Sequence, residues 1–239
     1  MSPLSRLSAI SLILGAGLTQ SCNIEMTPAG PLVTETKSIE LGKAEMVNVD
    51  VRLGVGELTL AGGSEKLLEA EFRHNENQSR PEVRYDETGF RGRLVIETER
   101  DSQKFGQKNQ KNHWDLHLNE KVPFDFNVKL GVGESKLDFS HLKPRSIEIR
   151  TGVGTVDVDL RGSYERDFEV KLHGGVGEAK VRLPKDIAVT IDAQGGIGGF
   201  DTRNLRKEGG RWVNEAFGKA KTTVHLEIRG GIGHIEVIG

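Results

Sequence analysis

The chain has one cysteine, Cys22. That excludes a disulfide framework within the chain. If Cys22 is modified, no thiol remains for a metal site or for nucleophilic chemistry. Charge of one sign is lacking as well: the net charge is −2, so there is no basic excess of the kind nucleic acid would select. Aromatic residues make up only 5% of the sequence against thirty glycines, a balance that points to many turns and little helix. The one strongly apolar stretch, Leu7 to Leu18, is too short to cross a bilayer as a stable helix.

That stretch follows Arg6, the only charge before Cys22, and Ser21 places a small residue directly before the cysteine. The arrangement resembles a lipobox, in which the cysteine is acylated and becomes the new N-terminus. It departs from the usual pattern in having Leu18 four residues before the cysteine rather than three. The expected organisation is a signal peptide over 1–21, a lipidated tether over 22–36 and a mature chain running to Gly239. The mature part divides into an N-terminal β region, 37–123, and a repeat region, 124–239.

The repeat is the strongest pattern. Gly-Val-Gly or Gly-Ile-Gly occurs six times, centred on Val55, Val132, Val153, Val176, Ile197 and Ile232. The centres from Val132 to Ile197 lie 21, 23 and 21 residues apart, and longer gaps flank them. Apolar residues alternate with polar ones before each centre, as in Ile147 and Ile149 or Phe168, Val170 and Leu172. This period of two marks a half-buried strand. Beyond the centre the phase shifts: Val153 is followed by Val156, Val158 and Leu160. An odd step means one extra residue at a bulge or corner, where glycine supplies the unusual φ. The expected corners are Gly54 and Gly56, Gly131 and Gly133, Gly152 and Gly154, Gly175 and Gly177, Gly196 and Gly198, and Gly231 and Gly233. Each unit reads as strand, corner, strand, with one face inward throughout, the centre side chain included.

A unit of this size cannot bury its own inner face, but stacked neighbours can. The expected fold is therefore all-β, a β-solenoid or β-helix of glycine-cornered repeats, with an antiparallel sandwich as the competitor. The gap from Ser64 to Lys121 holds further alternating runs and reads as an inserted hairpin region capping the first coil. Residues 101–112 read as a polar loop. A second insertion, Leu205 to Ala220, reads as a hairpin around Gly209-Gly210. The chain stops within the strand Ile235–Gly239, which would leave a C-terminal edge open to a partner, a second copy included.

Leu53-Gly54-Val55-Gly56-Glu57-Leu58-Thr59-Leu60, with Leu67 to Phe72 and Pro81 to Tyr85, resembles the toast-rack domain family of bacterial envelope proteins. The later repeats and Gly210-Arg211-Trp212 resemble the β-helical part that follows that domain. More loosely, the chain is similar to the exported domain of cell-wall-active antibiotic response proteins. The resemblance implies a β-solenoid at the cell surface and a link to envelope stress. It carries over no catalytic residue.

Motifs that could carry chemistry fail on context. The nucleotide fingerprint needs a third glycine and a helix; Thr59 and Lys180 stand at that position, and strands follow. A calcium-binding nonapeptide needs aspartate where Ala179, Phe200 and Ile235 stand. His113 and His117 share a strand face without a metalloprotease glutamate, Trp114 taking its place. Outward residues three before each centre form a mostly basic row: Arg52, Lys129, Arg150, His173, Gln194 and Arg229. Beside it runs a mostly acidic row: Asp50, Asn127, Glu148, Lys171, Asp192 and Glu227. Opposite rows neutralise one another on a solvated face. The sequence thus reads as an exported, lipid-anchored binding or scaffolding module of the cell envelope, facing the periplasm or the cell surface. Its partner would be an envelope protein or surface polymer, not nucleic acid, and it would need no cofactor or metal. A glycan-active β-helix enzyme is the alternative.

Overall fold

A computed structural model of the chain describes residues 30–76, 80–98 and 111–239. The signal peptide, Cys22, residues 22–29 of the tether and most of the polar loop lie outside the described residues. The rest is all-β. The first part comprises β1 (Leu32–Ile39), β2 (Met46–Ser64), β3 (Leu68–Asn75), β4 (Pro81–Thr88), β5 (Arg91–Thr98) and β6 (Asn112–Asn119). Next come β7 (Pro123–Asp138), β8 (Lys143–Asp159), β9 (Phe168–His173), β10 (Val176–Arg182), β11 (Ala188–Gln194) and β12 (Ile197–Arg203). The last are β13 (Arg206–Glu208), β14 (Arg211–Val213), β15 (Thr223–Arg229) and β16 (Ile232–Ile238).

Each repeat is a bent rung with a leading arm before the glycine corner and a trailing arm after it. In β2, β7 and β8 one strand runs through the corner; elsewhere the corner separates β9 from β10, β11 from β12 and β15 from β16. Rungs stack in parallel register, so the structure is the expected solenoid. The leading arms form one side, β5–β2–β7–β8–β9–β15–β11, and the trailing arms the other, β6–β2–β7–β8–β10–β16–β12. The core lies between them. Six residues before the centres, Val49, Phe126, Ile147, Val170, Leu226 and Ile191 stack as one buried column. Each such side chain contributes about 1.5–3 kcal/mol by leaving water, which only a neighbouring rung makes possible.

The inserted region caps the stack as expected. Strands β5 and β6 pair in parallel with the two arms of β2, β4 turns back on β5, and β3 and β1 extend the trailing side antiparallel. The alternation of Leu68, Ala70 and Phe72 falls in β3, while Ser64 ends β2. Residues 32–36, expected in the tether, are instead the first five residues of β1, because the edge of β3 pairs with them. At the boundary expected between residues 123 and 124 the sheets pass from β2 to β7 without a break.

The C-terminal strand is not an edge, contrary to expectation. Strand β16 lies between β10 and β12 and bonds to both, and β15 likewise lies between β9 and β11. The last rung in sequence is therefore the second-last in space. The insertion after β12 makes this possible. It carries the chain back and forms the expected hairpin, β13–β14, with Gly209 (φ 57°) and Gly210 (φ 84°) in the left-handed conformation a tight hairpin needs. Gly239 is tied to the end of β12, its N–H donating to the Arg203 carbonyl at 2.9 Å.

Candidate interaction surface

The two glycines of each corner are required for different reasons. The second adopts φ between 134° and 144° in all six rungs, where a β-carbon clashes with its own backbone. The first has no such φ but faces the neighbouring rung: a β-carbon on Gly152 would lie 2.3 Å from the Gly131 carbonyl oxygen, and one on Gly175 would lie 1.8 Å from that of Gly152. Gly54, in the first cornered rung, meets nothing within 4 Å.

Between these glycines the centre side chains point outward, not inward as expected. Val55, Val132, Val153 and Val176 are about half exposed, Ile232 is 53% exposed and Ile197 is 75% exposed. The extra residue enters at the first glycine rather than after the centre, so the centre takes the outward phase of the trailing arm. Inward positions resume at Leu58, Val156 and Ala179, all buried. The six side chains stack in register in the order Val55, Val132, Val153, Val176, Ile232, Ile197. At about 4.8 Å per strand the ladder is about 24 Å long. Six branched aliphatic side chains aligned on an outer edge form a contiguous apolar patch, not scattered surface leucines.

Charged columns flank the ladder. On the leading arm the basic row Arg52, Lys129, Arg150, His173, Arg229 and Gln194 stacks as expected, and so does its acidic neighbour. The two rows pair with each other and with side chains around them. Arg229 meets Glu227 at 2.8 Å, Arg150 meets Glu148, Arg93 meets Asp50 at 3.1 Å and Arg211 meets Asp192 at 3.0 Å. Arg52 donates to Glu97 of β5 at 2.9 Å, and Arg84 joins the same carboxylate. Burial alone would raise the Glu97 pKa, but the hydrogen bonds from Arg84 and Arg52 outweigh it and hold it below the usual glutamate value. On the trailing arm, two residues after the centres, a column the sequence reading missed contains Glu57, Glu134, Thr155, Glu178 and His234. Each of its residues stands one before an inward position such as Leu58, Val156 or Ala179, so the alternation of the trailing arm was its signal.

Other candidates stay apart from the ladder. Ala179 is buried, and Ile235 and Phe200 pack against the core, so the calcium-type positions build core. His113 sits 3.2 Å from Glu57, whereas His117 donates from Nδ1 to the Gly62 carbonyl at 3.1 Å and faces Asp115 with its other nitrogen. Among the described residues no three His, Cys, Asp or Glu side chains converge as a metal site.

A family model described as the N-terminal domain of toast_rack, DUF2154, matches residues 28–182. Among solved structures, a candidate cell adhesion protein from Clostridium sporogenes is 35% identical to the chain. The alignment covers 87% of this chain and 99% of that one, with a TM-score of 0.83. A candidate adhesin from Bacteroides fragilis is 12% identical over 88% of this chain and 98% of its own, with a TM-score of 0.36, too low to carry an argument. No protein with a curated function matches the chain.

Proposed function

The chain belongs to the toast-rack family, and from that premise we propose that it is a cell-surface adhesion module that pairs with a second copy along the outward valine and isoleucine ladder. The ladder is the observation that carries this reading. An aliphatic row between glycines offers neither aromatic faces nor hydrogen-bonding side chains for a sugar, but it suits another apolar protein edge. The flanking columns favour a second copy. A twofold axis along the ladder sets the basic column of one copy against the acidic column of the other, with Lys129 facing Glu134. An axis across the ladder would set basic against basic, so the ladders should run parallel. The name carried by the Clostridium sporogenes relative, a cell adhesion protein, agrees with this reading.

Acylation of Cys22, export and display in the envelope belong to the same proposal. They would place the ladder on the outside of an anchored stack. A glycan-active enzyme would need free carboxylates facing one another. The outward Asp50, Glu148, Asp192 and Glu227 are each held by an arginine. The test is sedimentation of the unacylated Cys22→Ala chain over a range of concentrations. A dimer that weakens when Lys129 is changed to Glu and recovers when Glu134 is also changed to Lys supports the reading. A monomer at all concentrations, or a dimer indifferent to both changes, argues for a different partner.

A further inference from the structure

Two residues before each centre, an inward position faces the inside of the corner. In stack order its occupants are Leu53, Leu130, Thr151, Gly174, Gly230 and Gly195. Leu53 is buried and Leu130 packs on the core. Where the leucines stand, the corner leaves a space of only about 10 Å³. Where the glycines stand, it opens into a cavity of about 410 Å³. Protein interiors fill such gaps unless something else occupies them, and this size falls within the range of small-molecule sites.

The cavity spans the rungs from β8 to β11–β12, three strand spacings or about 14 Å. Thr151 closes its inner end, its hydroxyl accepting from the Gly175 N–H at 3.2 Å and donating to the His173 carbonyl at 3.4 Å. Ala179, Ile228, Ile235 and Phe200 supply apolar walls. At the open end stand Trp212, 6.5 Å from Phe200, and Lys207, whose Nζ lies 4.8 Å from the Trp212 ring. Glu208 pairs with Arg206 and Asp192 with Arg211, and the Lys207 ammonium lies over the indole. Glu178 and His234, the latter 3.5 Å from Asp201, reach the outer edge of the corner.

We propose that this cavity binds an unbranched anionic amphiphile, its apolar chain lying along the glycine-lined corner and its head group meeting Lys207. The length fits an extended chain, and the Lys207 ammonium at the mouth fits a carboxylate. The cavity shares Val176, Ile232 and Ile197 with the ladder as part of its lining, while its glycine-lined inner side faces the inside of the corner.

The test titrates the unacylated Cys22→Ala chain with decanoate below its micelle concentration, following Trp212 fluorescence. Saturable one-to-one binding is expected. Gly174→Leu restores the leucine of the first two cornered rungs, and its β-carbon would meet nothing closer than 3.4 Å. It should abolish binding with the melting temperature unchanged or raised. Gly195→Leu, at the mouth, is the second such variant, its β-carbon meeting nothing within 4 Å. Lys207→Gln should weaken decanoate about five-fold and leave decanol unchanged. Absence of saturable binding, or binding indifferent to both leucines in folded protein, overturns the site. Equal affinity for decanol and decanoate overturns the role of Lys207.

Discussion

Val153 stands beside Val176 in parallel register, and each side chain is about half exposed. Three residues further on, Val156 and Ala179 stand beside each other and are buried. The corner thus turns two apolar columns to opposite sides of one wall. Val153→Asp should therefore change stability by no more than about 0.5 kcal/mol, as for other surface sites. Val156→Asp must bury an unpaired charge and should cost about 3 kcal/mol or more. Denaturant melts of the two variants check this, and equal losses would contradict the outward phase.

The corner glycines should separate in the same assay. Gly154 has φ 134°, and a β-carbon there would lie 1.8 Å from the Gly133 carbonyl oxygen. Gly154→Ala should cost about 1–3 kcal/mol, as other residues forced into such conformations do. Gly54→Ala, with open space and no positive φ, should be nearly neutral.

Glu97 gives a pH dependence with a defined sign. Its folded pKa is depressed by Arg84 and Arg52 against the opposing effect of burial. A group of this kind stabilises above its unfolded pKa, about 4.3, and loses that contribution as pH falls through its lower folded value. Glu97→Gln should melt below the parent at pH 7, and the gap should close below about pH 4. A gap that stays constant from pH 7 to pH 3 would show that the arginine pairing contributes nothing.

The inserted position of β16 is open to hydrogen exchange. The amides of Ile235 to Ile238 are flanked by β10 and β12 and should be among the slowest to exchange. Those of β12, which among the described residues pairs with β16 alone, should include fast exchangers. The reverse order would return the C-terminal strand to an edge.

Much of this was legible in the sequence. Ile147, Ile149, Val156 and Val158 show two inward runs in different phase, and that fixes a strand, a corner and a strand. The phase of the centre itself was not legible, because Val153 stands between glycines and has no adjacent side chain to set its side. Rung order escaped as well. Only long-range pairing decides that β15–β16 enters before β11–β12, and the gap between Ile197 and Ile232 shows merely that something is inserted. The pocket did have a signal: the series Leu53, Leu130, Thr151, Gly174, Gly230 and Gly195 is visible once the repeats are aligned on their centres.

The central claim, that the outward ladder is an adhesive surface between copies, is tested most directly by bead aggregation. Beads coated with the Cys22→Ala chain are compared with beads carrying Val132→Ser, Val153→Ser and Val176→Ser together. These side chains lie outside the core, so the variant should melt close to the parent. The account predicts that parent beads aggregate and variant beads stay dispersed. Equal aggregation by a folded variant would contradict it.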